Sequence, residues 1–161
     1  MENATILGIS LGTRQCGLAL LRNGTLVDWK VKNFSGAWTE NKFNRIIGSI
    51  EKVIQKNGVQ YIACKMPMHL RTLRLDSLLS GIKDFAFQKN ISLCVTTIAE
   101  LKEIEINILN RSAYAEYIAI TYPELFPMLK RHRKVKTEYY LRIFEAVGAA
   151  NYCSKQRKLH M

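Results

Sequence analysis

The first 33 residues consist of apolar runs separated by short polar turns, a pattern that predicts three consecutive β-strands. Apolar residues dominate positions 6–11 and 16–21, and a turn containing Gly12 separates the two runs. Asn23-Gly24 then leads into a third run at positions 25–32. Asn and Gly both tolerate the positive φ of a type I′ turn, so this dipeptide predicts an antiparallel hairpin.

From residue 39 onward, apolar residues spaced by three and four alternate with short apolar runs, which predicts helices between strands. Thr39 is expected to cap the first helix and Asn57-Gly58 to end it. Thr97 and Glu100 have the spacing of a capping box, and the helix that they open is expected to run toward Asn110. The remaining predicted elements are a strand at 59–64, a helix at 74–89, a strand at 91–96, and a helix that Ser112 caps and that ends before Pro123. This order predicts a single α/β domain over residues 1–161, with a mixed five-stranded sheet flanked by helices.

The densest positive charge of the chain lies in its last quarter. Pro123 and Pro127 interrupt the helical spacing, so residues 123–136 are expected to form a basic loop. Its basic run is Lys130-Arg131-His132-Arg133-Lys134-Val135-Lys136. A final helix is predicted at 137–152, where Gly148-Ala149-Ala150 is small enough to approach the sheet closely. A basic tail is expected at 154–161.

The whole chain is strongly basic, with 24 Lys and Arg against 13 Asp and Glu and a formal charge of +11. An excess of this size favours a polyanionic partner, because phosphate contacts release counterions from nucleic acid. No run of 18 apolar residues is present, so no association with a membrane is expected. The four cysteines are widely spaced and form no C-x-x-C pair. We therefore expect reduced thiols in a cytoplasmic protein.

The opening segment resembles the first strands of the RuvC-like Holliday-junction resolvases of the ribonuclease H superfamily. In that family the first strand ends in Asp-x-Gly, and another Gly follows five residues later. Gly12 and Gly17 stand at the two glycine positions here, and Ser10 stands at the Asp position. The resemblance extends through element order and short motifs over nearly the whole chain. It implies a ribonuclease H-like fold, a nucleic-acid partner and a possible homodimer.

The same resemblance implies an active site of four carboxylates that hold two divalent metal ions. The four positions fall on Ser10, Lys65, Arg142 and Glu145, and only Glu145 is an acid. Magnesium needs hard oxygen ligands, and an ammonium about 4 Å away repels it by roughly 4 kcal/mol per unit of metal charge. We therefore expect a pseudoenzyme without metal or other cofactor, in which the Lys65 ammonium takes the place of the metal and pairs with Glu145.

The leading functional prediction is metal-independent binding of DNA or RNA, including branched forms. The predicted phosphate contacts are Arg14, Lys65, Arg71, Lys130, Arg131, Arg133, Lys134 and Lys136. Trp29, Phe34 and Trp38 lie among Lys30, Lys32 and Lys42, a composition that suits base stacking and equally suits aromatics that close the end of the sheet.

Three alternatives stay open at this point. A rearranged site that still holds magnesium would make the chain an active structure-specific endonuclease, with Glu145 as its remaining family carboxylate. A scaffold that binds protein would need neither metal nor nucleic acid. Leu11-Gly12-Thr13 also resembles the phosphate-binding opening of the actin and sugar-kinase ATPases, which need two such domains to enclose a nucleotide.

Overall fold

The computed structural model describes residues 4–67, 72–103 and 108–159 of the chain. Their strands are β1 (Thr5–Ser10), β2 (Gln15–Arg22), β3 (Thr25–Asn33), β4 (Tyr61–Met66) and β5 (Ser92–Thr97). Their helices are α1 (Glu40–Asn57), α2 (Leu73–Gln88), α3 (Ile98–Lys102), α4 (Arg111–Thr121), α5 (Phe126–Val135) and α6 (Glu138–Leu159). A 3-10 turn at Pro123–Leu125 precedes α5.

The five strands form one mixed sheet in the order β3-β2-β1-β4-β5. The first three strands pair antiparallel, and β4 and β5 continue the sheet parallel to β1. Asn23 and Gly24 have φ values of 54° and 80°, as the predicted hairpin turn requires. The prediction of a mixed five-stranded sheet, with a three-stranded meander first and helices on its flanks, is confirmed.

Side chains alternate along the strands and give the sheet two apolar faces. Leu7, Ile9, Leu18 and Ile62 belong to the core on one face, which α1 and α2 cover. The core on the other face lies under α4, α5 and α6, and the sheet contributes Ile6, Ala19, Leu21 and Ala63 to it. A polar residue on this second face is therefore buried between the sheet and these helices.

Two glycines allow α6 to lie directly against the sheet. A Cβ atom at Gly8 would overlap the carbonyl oxygen of Ala146, and one at Gly17 would overlap the carbonyl oxygen of Arg142. Only glycine, which has no Cβ atom, fits where two backbones lie this close together. The first half of α6 is thereby held over the carboxyl end of β1, and Glu145 lies within this half.

Residues 126–135 are helical, which corrects the prediction of a loop at 123–136. Pro127 lies in the first turn of α5, where the missing N–H leaves no helical hydrogen bond unmade. Leu129 and His132 are buried on the inner side of the helix. The basic residues occupy its last turns, where the helix dipole favours positive charge. Helix α6 likewise continues to Leu159, so most of the predicted basic tail is helical.

Two further boundaries differ from the prediction. Helix α3 opens at the predicted Thr97 cap but ends at Lys102, and residues 104–107 lie outside the described residues. Asn110, rather than Ser112, caps α4 by accepting the N–H of Ala113. None of the helices in the described ranges combines the length and the apolar character needed to cross a bilayer.

A buried charge cluster at the carboxyl ends of the central strands

The carboxyl ends of β1, β4 and β5 bring three polar residues side by side beneath α6. Ser10 pairs in register with Lys65, and Lys65 pairs with Thr96. All three are buried, and Lys65 is only 4% exposed. Each stands an even number of residues from an apolar residue of the face beneath α6, so the strand period directs all three side chains to that face. The sheet thus presents a hydroxyl, an ammonium and a second hydroxyl in a row.

Glu145 of α6 supplies the carboxylate that faces this row. Its side chain is fully buried, and its Oε1 atom accepts a hydrogen bond from Lys65 Nζ at 2.8 Å. Arg111, the first residue of α4, donates from Nε to Oε2 at 2.6 Å and from Nη2 to Oε1 at 2.9 Å. One carboxylate therefore receives a two-pronged guanidinium and an ammonium, and the pairing of Lys65 with Glu145 expected from the sequence is present.

Burial and these contacts shift the pKa values of Glu145, Lys65 and Arg111. Burial alone raises the pKa of Glu145, but the guanidinium of Arg111 and the ammonium of Lys65 outweigh burial and hold the pKa below its usual range. Burial also lowers the pKa of Lys65, and the attraction of Glu145 compensates only in part because Arg111 and Arg142 are close. The hydrogen bonds to Glu145 raise the pKa of Arg111, so its guanidinium is a permanent cation.

Arg142 and Glu138 form the outer layer of the cluster, one turn of α6 apart. Arg142 donates from Nη1 to the Leu11 carbonyl at 3.3 Å, and its Nη2 lies 3.7 Å from Glu138 Oε2. Glu138 also accepts from Arg111 Nη1 at 2.8 Å. The cluster thus holds three cations and two carboxylates. Two of its buried polar atoms, Ser10 Oγ and Arg142 Nε, have no hydrogen-bond partner among the described residues.

The residues at the four family positions do not fit a divalent metal ion. Glu145 is the single carboxylate among them, and both of its oxygens are already engaged by cations. A metal ion beside Glu145 would meet the charges of Lys65 and Arg111 at close range, where each repels it by several kcal/mol. Elsewhere in the described parts of the chain, no group of three or more His, Cys, Asp or Glu side chains is placed to hold a metal.

The predicted phosphate contacts separate into an exposed group and a buried one. Five of them are exposed on or next to α5, namely Lys130, Arg131, Arg133, Lys134 and Lys136. The helical period places Lys130, Arg131 and Lys134 on the side opposite Leu129 and His132. Arg133 has a weak ion pair with Glu116 of α4, at 3.6 Å. Helix α5 therefore presents a continuous cationic outer side.

The other predicted contacts lie elsewhere. The Lys65 ammonium faces Glu145 rather than solvent, so it is not presented to an approaching phosphate. Arg14 is exposed in the turn between β1 and β2. Arg71 lies outside the described residues. His132, a member of the basic run, is buried, and its Nε2 atom lies 3.2 Å from Ser112 Oγ.

The aromatic residues near the end of the hairpin fit the core better than a stacking surface. Phe34 is buried in the core under α1 and α2, and Trp38 packs against the same core with its ring edge on Phe43. Trp29 packs against the core on the opposite face of the sheet. The three rings therefore do not form one platform, and each contributes apolar packing instead.

Arg111 is the member of the cluster that sequence reasoning missed. It lies 34 residues before Glu145, and no local spacing links the two residues. Its one local signal is the preceding Asn110, a residue type that caps helices and so marks the start of α4. The position of Arg111 against Glu145 depends on how α4 packs on α6, which the pattern of α4 alone does not encode.

Solved structures that share this arrangement of strands and helices include Holliday-junction resolvases. RuvC of Thermus thermophilus superposes with a TM-score of 0.72 at 12% identity, covering 97% of this chain and 96% of RuvC. The same protein in complex with a Holliday junction substrate gives 0.71 at 13% identity, covering 98% of this chain and 97% of RuvC. The fowlpox virus Holliday junction resolvase gives 0.62 at 13% identity, covering 94% of this chain and 99% of the resolvase. No family model and no curated protein matches the sequence. The fold is RuvC-like and ribonuclease H-like, as predicted.

Proposed function

We propose that this chain, built on the RuvC-like fold, binds nucleic acid through the outer side of α5 and does not cleave it with metal ions. The observation that carries the binding proposal is the group of five exposed cations on and next to α5. Support also comes from the structural neighbours. T. thermophilus RuvC, which has the same fold, was solved in complex with a Holliday junction substrate. Branched DNA is accordingly the first ligand to test.

The proposal of inactivity is supported by the charge cluster. Two-metal hydrolysis needs carboxylates that hold the ions and leave coordination positions for water and phosphate. Lys65 and Arg111 saturate the carboxylate of Glu145 instead. Breaking these pairs to admit a metal would leave the buried Lys65 ammonium and the half-buried Arg111 guanidinium beside it, which is strongly unfavourable.

The test is fluorescence anisotropy with a four-way DNA junction, a duplex and a single strand at several salt concentrations. We expect the junction affinity to fall steeply with salt, because counterions are released from each contacted phosphate. Replacing the five α5 cations with Gln should weaken binding at low salt and reduce the log–log salt slope by up to about 4.5, since each lost phosphate contact removes roughly 0.9.

A matched control removes the same charge from the opposite face of the sheet. Gln at Lys52, Lys56, Arg74, Lys83 and Lys89, all exposed on or next to α1 and α2, changes the net charge equally. If both variants lose affinity alike, binding follows net charge and the assignment to α5 fails. If the unaltered protein binds no nucleic acid at low salt, a protein-binding scaffold replaces this proposal. Cleavage of the junction with magnesium, abolished by Glu145→Gln, would instead establish an endonuclease.

A further inference from the structure

A second buried lysine differs from Lys65 in that no carboxylate of the described residues pairs with it. Lys42, in the first turn of α1, is 4% exposed, and its Nζ atom donates to the Gly36 carbonyl at 2.8 Å. No carboxylate lies within ion-pair distance of this ammonium among the residues of the three described ranges. Buried charges in proteins are normally paired, so the surroundings of Lys42 point to an anion from outside the chain.

A cavity of about 450 Å³ lies next to this ammonium. It is lined by Lys42 together with Arg14, Gln15, Asn33, Ser35 and Gly36, and no acidic residue lines it. Arg14 is exposed at the cavity, so a ligand can reach its guanidinium from solvent. The cavity thus joins one buried cation and one exposed cation around a space large enough for a phosphate group.

The walls of the cavity are held in place by hydrogen bonds. The Gln15 side chain donates to the Asn33 side chain at 3.1 Å, and Arg45 donates to the Ser35 carbonyl at 3.1 Å. Thr39 caps α1 by accepting the Lys42 N–H, which fixes the start of the helix beside the cavity. The positive end of the α1 dipole adds to the two side-chain charges at this place.

We propose that this cavity binds one phosphate group of a nucleic-acid strand, held between the Lys42 ammonium and the Arg14 guanidinium. The identity of the strand rests on the proposed function, whereas the anion site rests on Lys42 and the cavity alone. The cavity lies beyond the end of β3 and the start of β2, at the same end of the sheet as Ser10 and Lys65. It therefore supplies a contact separate from α5, at the end of the sheet that also carries the charge cluster.

The first experiment uses inorganic phosphate alone and thermal unfolding. We expect phosphate at tenfold its dissociation constant to raise the unfolding midpoint of the unaltered protein by about 4 °C. Lys42→Met should abolish this rise, and in phosphate-free buffer it should raise the midpoint itself, because it removes a buried charge that no carboxylate of the described residues neutralises. Arg14→Gln, at an exposed position, should reduce the rise without changing the phosphate-free midpoint. Lys52→Met, exposed on the same helix, is the control and should leave the rise intact.

The second experiment measures the affinity of the same variants for a 20-nucleotide strand with and without a 5′-phosphate. A loss confined to the phosphorylated strand assigns the site to a strand end, and an equal loss for both strands assigns it to a backbone phosphate. Phosphate stabilisation of Lys42→Met equal to that of the unaltered protein overturns the anion site. Normal nucleic-acid affinity in a variant that has lost phosphate stabilisation overturns the assignment to nucleic acid. If the unaltered protein binds no strand at all, the proposed function fails while the phosphate experiment still decides the site.

Discussion

Lys65 and Glu145 lie 80 positions apart in the chain, yet their charged atoms are 2.8 Å from each other beneath α6. Lys65 comes from the sheet and Glu145 from the helix that covers it, so their ion pair joins the two layers at two of the positions where the sequence resemblance implies metal-binding carboxylates. Arg111 makes the arrangement asymmetric, because the carboxylate has two cationic partners while Lys65 has one anionic partner.

This asymmetry predicts unequal effects of removing each partner. Glu145→Gln leaves the buried Lys65 without a counterion and leaves Arg111 paired only with Glu138, and it should reduce the free energy of unfolding by about 3–5 kcal/mol. Lys65→Met leaves the carboxylate on Arg111 and should reduce it by less, about 1–2 kcal/mol. Urea unfolding of both variants and of the double variant measures the difference. Equal losses for the two single variants would contradict the dominant role of Arg111.

Acid should weaken the fold through the same carboxylate. The pKa of Glu145 in the folded chain lies below its ordinary value of 4.5, so below that pH the unfolded chain binds a proton that the folded chain does not. The stabilisation from Glu145 is therefore fully present at neutral pH and is lost as the pH falls through the folded pKa. The difference in unfolding free energy between the unaltered protein and Glu145→Gln should stay constant from pH 7 to about 5 and shrink below it. A difference in unfolding free energy that grows as the pH falls would contradict this prediction.

Two glycines with different surroundings predict opposite effects of substitution by alanine. Gly8 lies against α6, whereas Gly48 has no neighbouring element at its Cβ position. Gly8→Ala places a Cβ atom on the Ala146 carbonyl and should destabilise the fold by about 2–3 kcal/mol. Gly48, inside α1, has open space where its Cβ atom would lie. Gly48→Ala should therefore stabilise by about 0.8–1 kcal/mol, since Ala is the better helix former. Thermal unfolding compares the two, and a neutral Gly8→Ala would show that α6 moves away without penalty.

Restoring the family carboxylates should create a metal site. The triple variant Ser10→Asp, Lys65→Glu, Arg142→Asp retains Glu145 and replaces two cations with acids, so magnesium should raise its unfolding midpoint. The control is the triple variant Ser10→Asn, Lys65→Gln, Arg142→Asn, whose amide side chains have the shapes of the three acids without their negative charge. Magnesium should not raise the unfolding midpoint of this control. We expect the unaltered protein to behave like this neutral control. Magnesium stabilisation of the unaltered protein would mean that Lys65 and Arg111 move aside to admit the ion.

The sequence predicted the strands and the Lys65–Glu145 pair because both depend on local signals or on a family pattern. Asn23-Gly24 fixes the hairpin through its own φ preferences, and the motif around Glu145 aligns α6 with the family site. Arg111 escaped prediction since its contact depends on the packing of α4 against α6. Lys42 was noted among neighbouring aromatics, but a sequence does not reveal that an ammonium is buried without an acid.

The error at α5 has a different origin. Pro123 and Pro127 predict a break in the helix, although proline in a first turn is compatible with a helix. Phe126, Leu129 and His132 are spaced by three residues, and cations occupy most of the positions after Leu129. This spacing is typical of a helix that begins at Phe126. The position of a proline relative to the start of a helix, rather than its presence, decides its effect.

The placement of α6 at the end of the described chain has a consequence for synthesis on the ribosome. The apolar face containing Ile6, Ala19 and Ala63 is completed by residues 141–153, which emerge after every strand of the sheet. Until then the nascent chain carries an uncovered hydrophobic face, and Lys65 has no carboxylate to neutralise it. This fold is therefore completed only after α6 has been synthesised, when a single helix closes the core and supplies its missing negative charge.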